Sequence, residues 1–421
     1  MAGSTYDLVI RGGLVFDGEK SIGRQNIYVK GNVIVKVTTE ELSAANEVDA
    51  RDMFVMPGLI DTHLHLTGIK GGSLFMGYIL DDARVRLLRA ANWARELLIA
   101  GFTAVRDCGE PNSIALRNAI NEGIVPGPRI IAAGAPPLTQ TFGHGELSHS
   151  IPLEWSIELG FAEICDGVDE CRKAARKVLR SGADFIKIMA TGGVLSQRDK
   201  PEWSQFTFDE IRAIVQEAEK VGTYVAAHAH GGDLGGARIA VEAGVRTIEH
   251  GTLLRDETLR LMAERGGVSI TPTMAIQELI YRYGKQIGID PWGGLEKIAE
   301  VRESVANVVR KAREYGGVTI IMGTDLGFKT NLDIDMGKNW VELQLMTEIG
   351  GLSSIDTLRA ATSNAARMLK INTGLIREGG VLADIIVING NPPVENIKDV
   401  SRAITVIKDG KIAVEKGKLV G

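Results

Sequence analysis

The chain of 421 residues is long enough to bury a large core and, at about 100–200 residues per domain, predicts two domains or one large barrel with an appendage. Apolar residues make up 44% and charged residues 24% of the sequence, which is typical of globular proteins and excludes a fibre or a disordered chain. The net charge of −5 at pH 7 argues against binding through phosphate neutralisation, so we expect no nucleic-acid partner.

The first residues carry charged side chains from Asp7 onward and contain no apolar core of a secretory signal. No apolar run approaches the roughly 18 residues needed to cross a bilayer. The three cysteines are too few, and odd in number, for a disulfide framework. We therefore expect a cytoplasmic protein without a membrane partner.

Both ends of the sequence are predicted to form short β-strands. Near the N-terminus, short apolar runs alternate with glycine-containing turns, at residues 6–10, 14–16, 26–30 and 33–37. The same pattern occurs near the C-terminus, at residues 383–388 and 403–414. Strands from the two termini can pair and satisfy each other's backbone groups. We predict a small β-sandwich domain formed by residues 1–54 and 370–421.

The middle of the chain alternates apolar strands with amphipathic helices. The eight predicted strands are 55–63, 102–107, 129–134, 184–190, 224–228, 246–250, 268–271 and 318–325. The helices that fit between them are 83–100, 169–181, 208–221, 234–243, 255–265 and 297–315. This α/β pattern predicts parallel strands closed into a (β/α)8 TIM barrel over residues 55–369. An open doubly wound sheet is the alternative, but no Gly-x-Gly-x-x-Gly follows a first strand.

The active site of such a barrel lies at the carboxyl ends of its strands, where the sequence places a series of polar side chains that could carry chemistry. They are His63 and His65 after strand one, Lys187 in strand four, His228 and His230 after strand five, His250 after strand six and Asp325 after strand eight. His63 and His65 are two residues apart on an extended segment, so both side chains point to one face and can bind one metal.

Each of these residues also has an ordinary structural explanation. The histidines could be solvated or satisfied by hydrogen bonds, the ammonium of Lys187 could reach an outer surface, and Asp325 could cap a helix. Lys187 lies among Phe, Ile and Met, where an unpaired ammonium is costly to bury. A chance gathering of all of them at one end of different strands is improbable, which favours a functional site.

The same motifs resemble the amidohydrolase superfamily. The resemblance lies in Pro57-Gly-Leu-Ile-Asp-Thr-His-Leu-His65, the lysine strand ending in Met189-Ala-Thr-Gly-Gly193, the segment Thr247-Ile-Glu-His250-Gly, Gly323-Thr-Asp325, and the C-terminal residues 360–367 and 380–384. Within the superfamily, the chain is most similar to the imidazolonepropionase-related branch. That branch holds prolidase-like Xaa-Pro dipeptidases, arginine/lysine carboxypeptidases and ochratoxin-hydrolysing amidases.

The resemblance implies two divalent metal ions bridged by Lys187 after its carboxylation by CO2. A lysine carbamate is an anion with two oxygens, whereas a protonated lysine binds no metal. We expect His63, His65 and Asp325 to hold one metal and His228 and His250 the other, with zinc as the default ion. The choice of His228 over His230 rests mainly on the resemblance.

The predicted chemistry is attack by a hydroxide that bridges the two metals. Asp325 would take its proton and pass it to the leaving amine, so Asp325 and Lys187 are the predicted catalytic residues. His144 and His230 are predicted to bind substrate and to stabilise the oxyanion.

Loop residues could add further substrate contacts. Phe75, Met76 and Tyr78 could line an apolar pocket, or could simply pack the loop onto the barrel. Arg198 and the run Tyr281-Arg282-Tyr283 could bind a carboxylate, or could be solvated, and His149 has no predicted role.

The sequence thus predicts a metal-dependent hydrolase that cleaves an amide or peptide-like C–N bond of a small molecule, such as a dipeptide or an N-acyl amino acid. A cyclic-amide hydrolase or lactonase is the alternative, because the same site can attack another carbonyl. A deaminase fits less well, since Lys187 indicates two metals, and a noncatalytic scaffold would be expected to lack ligands. The resemblance also implies a homo-oligomer, with an octamer as one candidate, and the apolar residues 74–79 could contribute a contact.

Overall fold

A computed structural model describes residues 6–71, 74–134, 136–145, 150–196, 198–288 and 294–420, without the side chains of Leu74 and Phe75. Its strands, in chain order, are β1 (Tyr6–Phe16), β2 (Ser21–Lys30), β3 (Val33–Thr38), β4 (Ala44–Asp49), β5 (Phe54–Pro57), β6 (Leu59–Lys70), β7 (Phe102–Asp107), β8 (Arg129–Ala132), β9 (Leu138–Thr139), β10 (Glu163–Ile164), β11 (Ile186–Met189), β12 (Val225–Gly231), β13 (Thr247–Leu253), β14 (Ser269–Thr271), β15 (Thr319–Ile320), β16 (Leu326–Lys329), β17 (Ile385–Ile388), β18 (Ala403–Lys408), β19 (Lys411–Glu415) and β20 (Lys418–Leu419).

The helices cover most of the intervals between the central strands. In chain order they are α1 (Leu74–Leu80), α2 (Ala83–Ile99), α3 (Ser113–Asn121), α4 (Leu153–Glu158), α5 (Val168–Arg180), α6 (Phe208–Lys220), α7 (Gly236–Ala243), α8 (Asp256–Arg265), α9 (Met274–Tyr283), α10 (Gly294–Tyr315), α11 (Val341–Glu348), α12 (Ser354–Ala360) and α13 (Ser363–Leu369), and a short 3₁₀ helix spans Ile397–Arg402. No helix in these ranges is both long and apolar enough to cross a membrane.

The strands of the two termini share one mixed sheet. Strand β1 lies antiparallel to β2 and parallel to β4 and β5, and β5 lies antiparallel to β17, which joins the N-terminal to the C-terminal strands. Val33 at the start of β3 forms an antiparallel bridge with Leu382, just before β17. Strand β3, at one end of the strand order, therefore lies next to the segment before β17, which is in the middle of the order. The sheet encloses a separate apolar core that contains Ile27, Val55 and Ile385.

The central strands form two sheets in which every pair is parallel. One sheet has the order β16-β6-β7-β8 and the other β10-β9-β11-β12-β13-β14-β15. Backbone hydrogen bonds connect the sheets, from the amide of Asp184 to the carbonyl of Ala132 (2.8 Å) and from the amide of Thr62 to the carbonyl of Met322 (2.9 Å). The predicted α/β architecture with parallel strands is confirmed.

The bounds of four predicted strands were wrong by three residues or more. The first central strand is interrupted at Gly58 and then continues to Lys70, because its outer half pairs with β16. The last predicted strand shrinks to Thr319–Ile320, and Asp325 follows it with a left-handed backbone. His228 and His250 lie inside their strands, because β12 and β13 continue to pair beyond them.

The expected contact segment at residues 74–79 also differs from its predicted form. It is part of helix α1 rather than a loop. Its Met76 is exposed, whereas Tyr78 is buried, so the two residues face different surroundings.

Candidate active site

The carboxyl ends of the central strands bring three predicted metal ligands together. The Nε2 atoms of His63 and His65 lie 3.2 Å and 3.1 Å from the same carboxylate oxygen, Oδ1 of Asp325. One donor atom from each residue falls within a cluster in which all the atoms lie within 4.8 Å of one another. Two imidazole nitrogens and a carboxylate at such spacing are a ligand set that suits zinc and related divalent ions.

The backbone of the site adopts unusual conformations. His250, Thr273 and Asp325 have positive φ angles of 71°, 51° and 56°, a region that residues other than glycine rarely occupy. The amide of Asp325 donates to the carbonyl of His63 (2.6 Å), and Nδ1 of His250 hydrogen-bonds to Oγ1 of Thr273 (2.7 Å). Such strained positions concentrate at functional sites, and here they turn two of the predicted ligands toward the cavity.

A buried ion pair orients His63. Its Nδ1 lies 2.7 Å from Oε2 of Glu249, and the other oxygen of Glu249 accepts from Nη2 of Arg106 (2.6 Å). Burial raises the pKa of Glu249, but Arg106 and His63 outweigh this effect and hold the pKa well below its usual range. A carboxylate on the outer nitrogen fixes the imidazole so that Nε2 faces the cavity, as is usual for metal-bound histidines.

The sequence analysis missed the role of Arg106 and saw Glu249 only as part of a motif. The signal for both residues was available, because each carries a charge in the middle of an apolar strand. A charged side chain that points into the protein interior must find a partner, but only the fold reveals that Arg106 and Glu249 are partners.

The role of Asp61 was also not predicted from the sequence. Asp61 is buried and accepts hydrogen bonds from Oγ1 of Thr324 (2.7 Å), Nδ2 of Asn339 (2.7 Å) and the backbone amide of His63 (3.0 Å). Burial raises the pKa of Asp61. These contacts tie the segment that carries His63 to the segment that ends in Asp325.

Lys187 lies inside the cluster, as predicted. Its side chain is buried, with the residue 2% exposed, and Nζ lies 3.4 Å from Nε2 of His63. Within the described ranges, no carboxylate lies within 4.0 Å to form an ion pair with this amine. A buried side chain of this kind without an ionic partner is costly, which favours a site in which the amine is covalently modified.

Three further histidines form the other side of the cluster. The ring of His228 lies 4.8 Å from that of His230 and 4.5 Å from that of His250, measured between centroids. Burial lowers the pKa of all three, well below the ordinary value for His228 and His250 and to about 3 for His230. Neutral imidazoles are the form that binds metal, so these residues are ready to act as ligands.

The hydrogen bonds of His228 and His230 differ. Nε2 of His228 hydrogen-bonds to the carbonyl of Gly192 (3.1 Å), which leaves its Nδ1 for another ligand. Nδ1 of His230 hydrogen-bonds to Oγ1 of Thr252 (2.8 Å), which leaves its Nε2. Both residues can therefore offer one free nitrogen, and the hydrogen bonds alone do not choose between them.

The predicted substrate residue His144 stacks on His228 with 4.3 Å between ring centroids. Its Nδ1 lies 2.6 Å from Oγ of Ser196 and 3.5 Å from Oδ2 of Asp199. Burial raises the pKa of Asp199, but the contacts with His144 and Ser196 outweigh it and lower the pKa to about 2. Lys297 on α10 donates to the carbonyl of Ser196 (2.7 Å), which closes this network over the cavity.

A cavity of about 170 Å³ joins all eight predicted site residues to an apolar surface. We define the apolar wall by the following lining residues: Phe161, Leu195, Ile276, Ile280, Ile298 and Val301. Tyr78 also lines the cavity, and its hydroxyl donates to Oε2 of the buried Glu110 (2.7 Å). We define the polar floor by the predicted site residues at the strand ends: His63, His65, Lys187, His228, His230, His250 and Asp325. The polar floor and the apolar wall together form a pocket suited to a small molecule with one reactive polar group.

Other expected substrate contacts are not brought to this cavity. Arg282 forms an ion pair with Glu278 (2.7 Å), and Tyr281 is 51% exposed with its ring under Arg302. Arg198 is exposed and does not line the cavity in the described part of the chain. Tyr281 and Arg282 lie near the end of α9 on its exposed side, whereas Tyr283 packs against the main apolar core.

Two of the remaining expectations fall on residues that the structure leaves undescribed. His149 lies outside the described ranges, and the side chain of Phe75 is also outside them. Met76, the third member of the predicted apolar set, is 47% exposed and does not line the cavity.

Comparison with known sequences identifies relatives across most of the chain. The sequence profile described as "Amidohydrolase family" matches residues 54–413. The ochratoxinase of Aspergillus niger is 34% identical over 382 residues, which cover 85% of this chain and 75% of that protein.

Solved structures give the same result. A prolidase crystallised with N-methylphosphonate-L-proline has a TM-score of 0.87 and 32% identity, and the match covers 97% of this chain and 99% of that one. A Xaa-Pro dipeptidase with methionine bound in its active site has a TM-score of 0.86 and 33% identity, with the same coverage of 97% and 99%. The resemblance read from the sequence motifs is confirmed: the chain belongs to the amidohydrolase family and is a hydrolytic enzyme.

Proposed function

We propose that this enzyme is a metal-dependent hydrolase of an amide or peptide-like C–N bond in a small molecule such as a dipeptide or an N-acyl amino acid. The relatives named as ochratoxinase, prolidase and Xaa-Pro dipeptidase support this reaction class. We further propose that the two parallel sheets close into a (β/α)8 barrel spanning residues 55–369. Residues 1–54 and 370–421 would form the β-sandwich, since strands of both termini pair around one core.

The donor atoms on the floor fit a binuclear metal centre. His63, His65 and Asp325 would hold one divalent ion, and His228 and His250 the other. The fit rests on the chemistry of these donors: Nε2 of His63 and His65 faces the carboxylate of Asp325, while the outer nitrogens are occupied by Glu249 and the carbonyl of Gly109. Zinc is the first candidate, and manganese, cobalt or iron suit the same ligands.

Lys187 would bridge the two ions after carboxylation. The amine would attack the carbon of CO2, a new N–C bond would form as one C–O π bond opens onto oxygen, and the nitrogen would release one proton to solvent to give a carbamate anion. This reaction turns a buried amine without a carboxylate partner into an anion with two oxygens, which can contact both ligand groups. The 3.4 Å distance from Nζ to His63 places the amine beside one of these groups.

The bound ions would polarise the substrate carbonyl and make a water acidic enough to attack it near neutral pH. Asp325 would accept the proton of the attacking water and pass it to the nitrogen of the leaving amine, which breaks the C–N bond. His144 and His230 would hydrogen-bond to the carbonyl oxygen as negative charge develops on it. The apolar wall would exclude bulk water from the reacting atoms.

The observation that carries this proposal is the meeting of His63, His65 and Asp325 beside the buried amine of Lys187. A solvated loop or a noncatalytic scaffold has no need to bury a lysine against a histidine. Hydrolysis of cyclic amides or lactones would use the same floor, and the test below separates it from the first proposal.

The test is to measure metal content and turnover on the same preparation. We expect up to two metal ions per chain, loss of hydrolysis of dipeptides and N-acyl amino acids after chelation, and recovery after zinc or manganese is returned. A metal-free protein with full amidase activity would refute the mechanism. Strong turnover of lactones or cyclic amides without turnover of linear amides would instead establish the alternative reaction.

Assembly and location stay predictions that the same preparation can address in part. A homo-oligomer, with an octamer as one candidate, predicts a molar mass in light scattering that is a multiple of 45.3 kDa. The expected cytoplasmic location requires fractionation of the native host.

A further inference from the structure

The apolar wall of the cavity contrasts with the charged side chains of the floor. Ile276 and Ile280 come from α9, and Ile298 and Val301 come from α10, so one face of this helix pair is directed at the cavity. These four side chains are buried and belong to the main apolar core. The wall is therefore a fixed surface of packed helices, and a substrate group that lies against it is removed from water.

No cation of the wall is available for an acidic substrate group. Within the described lining, Lys187 is the only lysine or arginine, and it belongs to the floor. The residues outside the described ranges contain no lysine or arginine at all. A carboxylate on the side group of a substrate would therefore have to lose its hydration without an ionic partner.

The described acidic residues next to the cavity lining already have partners within the protein. Glu278 on α9 forms ion pairs with Arg282 and Arg302. Glu110 accepts from Tyr78 and lies 3.5 Å from Nη1 of the buried Arg86. A basic substrate group that entered the pocket would have to displace one of these partners.

The third acid near the wall, Asp199, is held in the same way. It accepts from Ser196 and from the backbone amide of Gly193, and Lys297 lies 3.6 Å from it. A substrate ammonium would compete with three donors that belong to the protein. Among the residues that the structure describes, the wall thus offers contact to apolar groups and no free charge of either sign.

We propose that the enzyme selects substrates whose larger side group is apolar and uncharged. This inference rests on the proposed function, because it assigns a substrate class to the same site. Burial of each methylene of such a group favours binding, whereas a charged end would lose its hydration without compensation. The side group would lie against α9 and α10 while the scissile carbonyl lies over the histidines and Asp325.

The sharpest test compares norleucine with lysine, because both side chains contain a linear chain of four carbons and differ at the end, where lysine carries an ammonium. The substrates are Ala-norleucine, Ala-lysine, norleucine-Ala and lysine-Ala, assayed with the metal-loaded enzyme. At the position that faces the wall, we expect kcat/KM to be at least about 100-fold higher for norleucine. Equal values, or a preference for lysine at both positions, would overturn the inference.

A matched pair of variants tests whether the wall causes this preference. Ile298→Glu places a carboxylate at the wall, and Ile298→Gln gives a neutral side chain of the same size. We expect Ile298→Glu to lower the ratio of norleucine to lysine at least tenfold relative to Ile298→Gln. The same ratio in both variants would show that another part of the cavity sets the preference.

Binding separates a failure of this inference from a failure of the proposed function. Calorimetry with the free amino acids norleucine and lysine, which contain no amide bond, measures binding without cleavage, and we expect the first ligand to bind at least tenfold more tightly. Selective binding without hydrolysis of any linear amide would leave the inference standing and refute the proposed function. Equal binding of the two ligands would overturn the inference even if amides are cleaved.

Discussion

The floor and the apolar wall of the cavity are built from opposite kinds of residue and different parts of the fold. The floor consists of polar side chains at the ends of central strands, and each is fixed by a neighbour, as Glu249 fixes His63 (2.7 Å). The wall consists of apolar side chains on helices such as α9 and α10 and on nearby loops. Under the proposed function, this difference would separate reaction from selection: the floor could be the same for many substrates, while the wall could change without loss of the chemistry.

The largest expected effect comes from removing the buried amine of the floor. We expect Lys187→Ala to lower kcat/KM at least about 1,000-fold and to reduce metal content below that of the unchanged enzyme, because both proposed ion sites lose a bridging ligand. Activity assays and elemental analysis on the same sample measure both effects.

A matched control is Lys177→Ala, since Lys177 pairs with Glu163 at the surface and its side chain is 63% exposed. This control should keep its metal and activity. Full metal content in Lys187→Ala would place Lys187 outside the metal centre and would break the proposed division between floor and wall.

The second largest effect is expected from the buried ion pair of Glu249 and Arg106, which holds His63 in position. Glu249→Gln should lower the free energy of unfolding by about 3–5 kcal/mol, because it leaves the buried Arg106 without its charged partner. It should also weaken metal binding about 10- to 100-fold, since His63 loses the carboxylate that orients it.

Denaturant unfolding and metal titration measure these two losses. The control is Glu242→Gln, because Glu242 forms only an exposed pair with Arg238. A stable Glu249→Gln protein with unchanged metal affinity would show that the floor does not need this support.

The stability of the protein should depend on pH through Glu110, which accepts a hydrogen bond from Tyr78 beside the cavity. Burial raises the pKa of Glu110 to about 7 from an ordinary value near 4.5, so the folded state keeps a proton that the unfolded chain releases. The stability that depends on this proton is fully present below about pH 4.5 and is lost as the pH rises through about 7. The loss is at most about 3 kcal/mol at 1.36 kcal/mol per pKa unit.

Glu110→Gln should therefore flatten the decline in the free energy of unfolding between pH 5 and pH 8. Urea unfolding of both proteins at several pH values in this interval measures the slope. If the two slopes are identical, Glu110 does not titrate in this interval.

The smallest effect is expected where floor and wall meet at His144. Asp199→Asn keeps the shape of the side chain but removes the negative charge that lies 3.5 Å from Nδ1 of His144. We expect kcat/KM to fall about tenfold, with metal content unchanged, because the imidazole is held less firmly toward the substrate.

Asp199→Glu restores the charge and should recover part of the loss. Kinetic constants for the three proteins, together with their metal content, make the test. A loss of metal in Asp199→Asn would mean that Asp199 supports the floor rather than the substrate contact.

The sequence alone determined the strand and helix alternation and the residues of the floor. The Pro57–His65 motif, the strand with Lys187, and the motifs ending in His250 and Asp325 are local patterns, so their chemistry is readable without a fold. A strand end also has a known place in a parallel α/β structure, which is why residues far apart in sequence could be expected to meet.

Only the tertiary structure determined which residues hold the metal-ligand candidates in position and which residues form the apolar wall. Arg106 and Glu249 are 143 positions apart, and their partnership depends on which strands become neighbours. The positive φ angles of His250 and Asp325 are enforced by surrounding contacts and have no local sequence signal. The expected substrate contacts at residues 281–283 were wrong for the same reason: the direction of a helix side chain depends on what the helix packs against, and packing turned Ile280 inward and Arg282 toward Glu278.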